Sequence, residues 1–333
     1  MQKYKIYIDF EAITPPFTTI LGSQIKNNYP FCYTIGYIDK YSQEYYKTRI
    51  IKLKSMNLKQ LYRDLKEHLT KDIHRLIEQE IEINEQNIQF VGWNPQLENE
   101  VTNRLFEINT KNIINSSHQL SLNIATKYFI NNDIYFEYFN KLDLNDTFYR
   151  KILDSERTGV KANYVGFLIY CYYKNRYFNS SELAEIDLDL LKKQLIKYNK
   201  DDVKRLVYIE KHKNEVNNII EEEINKRNQK NVYIKEFNNL KKLKKYLAFI
   251  RLVKETTIEE LKEKLNRRNE QLNNYLTKQK CDKAKEIVYQ KEIKKIKSLF
   301  DYINKSQKKF NLISELNNSI QLRINEIKQY LEQ

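Results

Sequence analysis

The stretch KIYIDFEAI, residues 5–13, sets two carboxylates into an apolar and aromatic run. Side chains along a strand alternate between its two faces. Ile6, Ile8 and Phe10 therefore share one face, and Tyr7, Asp9 and Glu11 share the other. Two desolvated carboxylates side by side repel, and one takes up a proton unless a cation neutralises them. A divalent ion that suits hard oxygen ligands, magnesium or manganese, is the usual solution. The alternative is an edge strand with both acids on a solvated face.

Outward from this stretch, FCYTIGYI at 31–38 and RIIKLK at 49–54 read as two more strands. With the first they predict an antiparallel meander. Leu58, Leu61, Leu65, Leu69, Ile73 and Leu76 recur at steps of three and four, predicting an amphipathic helix over 58–81. IQFVGW at 88–93 reads as a short central strand. It runs into Asn94 and Pro95, a helix N-cap followed by proline at the first helical position, and the helix continues to about residue 108. DIYFEYF at 133–139 with LDL at 142–144 reads as another strand, and helices follow from about residue 160 to beyond 200. The expected class is α/β, a mixed sheet flanked by helices.

The second half differs. All four prolines lie before residue 96 and the last glycine is Gly166, so long helices are expected beyond. Ile258, Leu261, Leu265, Leu272 and Leu276 form one apolar stripe, and Ile313, Leu316, Ile320, Ile327 and Leu331 form another. These fit antiparallel helical hairpins or a coiled coil. The reading is an α/β domain over 1–230 and an all-α module over 231–333. The chain of 333 residues has net charge +14, and residues 231–333 hold 24 Lys+Arg against 13 Asp+Glu. That basic module is either a packed helical domain with a solvated lysine face or a nucleic-acid contact surface. Cys32, Cys171 and Cys281 are scattered, as are the four histidines, so no zinc spacing exists and a reduced, cytoplasmic protein is expected. The longest apolar run, VGFLIYCYY at 165–173, is too short to span a membrane. No signal peptide is read ahead of the first strand.

Two more acidic positions join Asp9 and Glu11. Glu98, in FVGWNPQLENEV, lies in the first turn of the helix after Asn94, where the helix dipole favours a carboxylate. In IKYNKDDVKRL, Tyr198 and Asp202 are four apart and share a helix face. Leu195, Val203 and Leu206 mark the buried side, which puts Asp202 at its rim and Asp201 toward solvent. The order D-x-E on a first strand, N-x-x-acid at a helix start and Y-x-x-x-D on a late helix resembles the DEDDy branch of the RNase H-like 3′–5′ exonucleases. The resemblance covers roughly residues 4–212, with gaps of about 90 and about 100 residues between motifs.

This resemblance implies an RNase H-like fold and a two-metal in-line displacement at phosphorus with Mg2+ or Mn2+. Asp9 would bridge the two metal ions, and Glu11 would bind one and help position the attacking water. Glu98 would supply the acid of the second motif. Asp202 would complete the metal site, and Tyr198 would hydrogen-bond the water or the scissile phosphate. The family usually has N-x-x-F-D at the second motif, where this chain has NPQLE, with Leu97 and Glu98. Bacterial relatives with an N-terminal YIDFE much like this one also use Glu there. Asp143 and Asp146, in LDLNDTF, are alternative acids near the same sheet.

For substrate contacts, Phe17 or Ile20 in the loop AITPPFTTILGS could wedge against a terminal base, since every base has a stackable face. The same loop also reads as a rigid turn set by Pro15 and Pro16. Asn94 could touch substrate as well as cap its helix. Lys161, in TGVKANYVGFL, resembles a helix-start position near the third motif. Trp93 reads as core packing. The expected function is a metal-dependent nuclease acting on DNA or RNA single strands or 3′ ends, with the C-terminal helices binding nucleic acid, a protein partner or a second copy. The alternatives are an inactive RNase H-like binding or assembly module, and a proofreading-like subunit serving a polymerase.

Overall fold

β1 (Tyr4–Ile13) is the middle strand of a five-stranded mixed sheet of order β3-β2-β1-β4-β5. β2 (Tyr29–Ile38) and β3 (Glu44–Ile50) continue from it antiparallel. β4 (Ile88–Gly92) and β5 (Lys111–Asn112) lie on its other side, parallel. The structure, a computed structural model, describes residues 3–21, 28–53, 57–115, 120–130, 135–141, 158–174, 186–250, 256–278, 283–306 and 310–332.

Between the strands come α1 (Phe17–Ile20), α2 (Leu58–Ile77) and α3 (Gln96–Phe106). After the sheet come α4 (Leu122–Ala125), α5 (Thr158–Lys174) and α6 (Leu188–Lys211). Both faces of the sheet are covered. Ile6, Ile8 and Phe10 enter the large core with Leu65, Leu69 and Ile73 of α2 and Val101 and Leu105 of α3. α5 is buried at every position from Ala162 to Cys171, which is why its sequence shows no amphipathic stripe. On the opposite face Tyr7 joins Val91 and the α6 residues Val203, Leu206 and Val207.

Several boundaries differ from the sequence reading. The third strand is Glu44–Ile50, not 49–54. Asp39 accepts the N–H groups of Tyr41 and Gln43 and forms a tight turn directly after β2. The tyrosines beyond it are thereby drawn into register, with Tyr46 opposite Gly36. α2 stops at Ile77 because Glu78 turns left-handed, φ 54°. Glu137–Lys141 is a 3-10 turn rather than part of a strand; Tyr135 and Phe136 just before it and Phe139 within it pack into the core, and residues 133–134 and 142–144 of the expected strand lie outside the described residues. β5, two residues long, is too short to leave a periodic signal.

The chain divides into two compact units, Met1–Glu222 and Glu223–Gln333, and the division falls within α7 (Lys213–Phe249). The second unit contains α8 (Ile258–Lys278), α9 (Lys283–Lys305) and α10 (Ile313–Glu332). Ile258, Leu261, Leu265 and Leu272 share one core with Ile296 and Leu299 of α9, Leu316 and Ile320 of α10, and Leu240 of α7. The two stripes thus bury each other inside the unit. Thr257 and Glu260 form a reciprocal capping box at the start of α8. Among the described residues, no helix is long and apolar enough to cross a membrane.

Candidate metal centre

The site begins where β4 stops. A Cβ at Gly92 would lie 3.0 Å from Pro95 Cβ and 3.4 Å from the Ile8 carbonyl oxygen, so glycine lets the chain turn tightly against β1. Asn94 then adopts φ 47°, and α3 follows. Asn94 is therefore not the helix cap expected from the sequence. Pro95 occupies that place with no side-chain cap, and Asn94 is tied through its N–H to the Asn112 side chain at 3.2 Å. The turn carries Glu98 back over β1, where its Oε1 accepts the Phe10 N–H at 3.2 Å. β4 pairs with β1 only as far as Tyr7, so the carboxylate satisfies a donor beyond the end of that pairing. A bulge between Glu11 and Ala12 breaks the β1–β2 register at the same place, as bulges beside functional sites commonly do.

α6 supplies the other half. A Cβ on Gly36 of β2 would lie 2.8 Å from Val203 Cγ1, so the missing side chain lets the helix approach the sheet closely. Asp202 is brought over β1, and one oxygen each from Asp9, Glu11 and Asp202 lie within 4.8 Å of one another. Asp9 and Glu11 keep an edge to solvent, and Asp202 and Glu98 are buried. Tyr198, wedged edge-on against Tyr135 and Phe136, stands one turn from Asp202 on the same helix. Arg205 is buried one turn on, its Nε 3.6 Å from Asp202 Oδ1. Its Nη1 donates to Thr126 Oγ1 at 3.2 Å and to the Ile130 carbonyl at 3.4 Å. Asp201 is not solvated as expected. It is buried, accepting the Tyr135 hydroxyl at 3.1 Å and Lys204 Nζ at 2.9 Å.

Burial, then Asp202, Glu11 and Glu98, pushes Asp9 well above the usual carboxylate range, with Asn199 opposing. Glu11 rises for the same reasons, burial first and then Asp202 and Glu98. Burial lifts Glu98 to about 7 against its backbone hydrogen bonds. Burial also lifts Asp202 to about 7 against Arg205 and Tyr198. Tyr198 is raised by burial and by the three carboxylates, so its hydroxyl stays protonated and donates. The thiol of Cys32, opposite Glu11, is likewise raised by burial and the acids, and it stands outside the group of oxygens that meet. A centre with this excess of negative charge and only hard oxygen donors fits Mg2+ or Mn2+. Asp9, Glu11 and Asp202 are the side chains able to hold it, with Glu98 alongside.

The substrate-contact residues fare differently. Phe17 is buried, with ring centroids 5.5 Å from Tyr164 and 5.1 Å from Phe167, and is a core residue rather than a base wedge. α5 comes close enough to β1 to capture it. Lys161 lies half-buried in the first turn of α5. Trp93 packs beside the small cluster and donates to the Leu120 carbonyl at 3.2 Å. Asp143 and Asp146 lie outside the described residues. Sequence reasoning missed Asn199, whose Nδ2 donates to Asp9 Oδ2, and Arg205. Their spacing on α6, three residues either side of Asp202, was the available signal.

Compared with models of known families, with curated proteins and with solved structures, the chain matches none. The site is therefore interpreted from its own geometry.

Proposed function

We propose that the first unit is a divalent-metal-dependent nuclease, an RNase H-like 3′–5′ exonuclease of the DEDDy type, hydrolysing phosphodiester bonds of DNA or RNA. The observation that carries this reading is the meeting of Asp9, Glu11 and Asp202 oxygens within 4.8 Å, from a strand and a helix far apart in sequence. The antiparallel meander, a helix and then a parallel strand, in this chain order, supports the fold half of the resemblance.

Bound ions would supply Lewis-acid chemistry, acidifying the attacking water and stabilising the leaving oxygen. The chain's own part is to gather the charge that attracts those ions and to orient the phosphate. Asp9, Glu11 and Asp202 would hold them. Tyr198, kept protonated, is a donor and not a base, so its role is to orient a water or phosphate oxygen. Arg205 offsets one negative charge and holds Asp202 in place. The test is Mn2+- or Mg2+-dependent digestion of end-labelled single- and double-stranded DNA and RNA. Asp9→Ala should lower the rate by about a thousandfold or more, on the order of 4 kcal/mol of transition-state stabilisation. Full activity in that variant would refute the proposal.

Glu98 favours a second reading, an inactive module of the same fold that binds nucleic acid or partners. One of its oxygens is committed to the Phe10 N–H, and it stands outside the three-oxygen group. Nucleic-acid binding without cleavage in any divalent metal would select this reading.

A further inference from the structure

Asp9, Thr34 and Thr48 form one row across three strands. Asp9 is paired with Thr34 of β2, and Thr34 with Thr48 of β3. Directly opposed residues project from the same face of a sheet, and this is the face that α6 covers. Asn199, fully buried, lies over the row. Its Nδ2 donates to Asp9 Oδ2, and its Oδ1 accepts the Thr34 hydroxyl at 2.6 Å. Thr34 Oγ1 in turn lies 2.8 Å from Thr48 Oγ1. From the neighbouring row Cys32, opposite Glu11, sets its thiol 3.9 Å from the same Oδ1. Chemistry fixes the orientation of the amide. The Asp9 carbonyl oxygen, 3.5 Å from Nδ2, is always an acceptor, as is the Asp9 carboxylate once ionised, so the NH2 faces Asp9 and the oxygen faces the hydroxyl.

We infer that Asn199 is the positioning residue of the metal centre, held by the Thr34–Thr48 row so that the Asp9 carboxylate meets those of Glu11 and Asp202. The inference rests on the metal reading above and adds to it three residues that are not ligands, Asn199, Thr34 and Thr48. With Oδ2 tied, the carboxylate is kept from rotating away from its neighbours. The choice of an amide matters. Lysine or arginine at this point would compete with the ion for the charge of Asp9, whereas a neutral donor holds the group and leaves that charge in place. Partners of metal ligands typically change affinity by about 10–100-fold when removed.

The test is titration of Mn2+ into the metal-free full chain, with free ion followed by electron paramagnetic resonance and melting measured separately. Asn199→Ala should bind Mn2+ about 10-fold more weakly or worse. Thr34→Val, which keeps the shape but removes the hydroxyl, should show a smaller loss, and Thr34→Ser should bind like wild type. A purely structural role would lower the metal-free melting temperature of the variants without separating Val from Ser in affinity. Wild-type affinity in both Asn199→Ala and Thr34→Val overturns the inference. If Asn199→Ala does not fold, equal affinity of Thr34→Val and Thr34→Ser overturns it on its own. No binding by the wild-type chain overturns the metal reading and this inference with it.

Discussion

Asp72 of α2 is fully buried, yet it is ionised by design of its neighbours. Arg49 grips it from Nε and Nη2 at 2.7 and 2.6 Å, and the Tyr33 hydroxyl donates at 2.8 Å. Burial works against the charge, but the hydrogen bonds of Arg49 and Tyr33 outweigh it and hold the carboxyl below its usual range. Asp72→Ala leaves both donors without their acceptor, and should destabilise the protein by about 2–4 kcal/mol. Urea denaturation would measure this, and the Mn2+ affinity of the folded protein should be unchanged. The contrast with Asp9 and Glu11 explains what sequence can reveal. Those two were legible because strict alternation puts both on one face of a strand. Asp72 was not, because Arg49 lies on a strand whose neighbours only the fold specifies. Asp201 was assigned to solvent because nothing local shows Tyr135 covering that side of α6. Asn199 was hidden by the abundance of asparagine in the chain.

Two glycines set how closely elements approach, with different consequences. Gly166 in α5 faces Phe31, whose ring would lie 2.4 Å from an added Cβ. Gly166→Ala should therefore cost about 1–3 kcal/mol of stability through overpacking, read by thermal melting, without a specific effect on the metal centre. Gly36→Ala acts through Val203, the residue next to Asp202. It should push α6 outward and weaken Mn2+ binding more than it lowers stability. Val203→Ala in the same chain makes room for the new methyl and should recover affinity. Failure of the double variant to recover would mean that this contact does not set the position of Asp202. At this scale β1, β2, β4 and α2 were readable from periodicity. β3 lies four to five residues earlier than the hydrophobic pattern places it, because its position in the hairpin depends on the Asp39 turn, which that pattern does not see.

At the scale of the whole molecule, charge is the common theme. Glu98 and Asp202 reach about 7 in the folded protein without metal, against an ordinary range near 4. Between those values the folded chain holds protons that the unfolded chain has released. The stability contribution is thus fully present below the ordinary carboxylate range and is lost as pH rises through about 7. Metal-free protein should melt at higher temperature at pH 5 than at pH 8, and Mn2+ should raise the melting temperature most at pH 8. Equal melting at both pH values in chelator would contradict the crowding of these acids. In the second unit, Lys291, Lys294 and Lys297 of α9 are exposed and have no ion-pair partner among the described residues. If they contact phosphates, replacing each by glutamine should lower nucleic-acid affinity and reduce the salt slope by about 0.9. The hydrogen bond from Asn199 to Asp9 joins residues 190 apart, which gives the centre a property in time as well as in space. A ribosome releases the β1 acids first and the helix that completes them about 10–40 s later, at ordinary synthesis rates. Until α6 docks, the nascent chain has two repelling carboxylates and nothing able to cut. If the first unit works as proposed, its hydrolytic power is withheld until α6 has been made, and binding of an ion would report that the helix has docked.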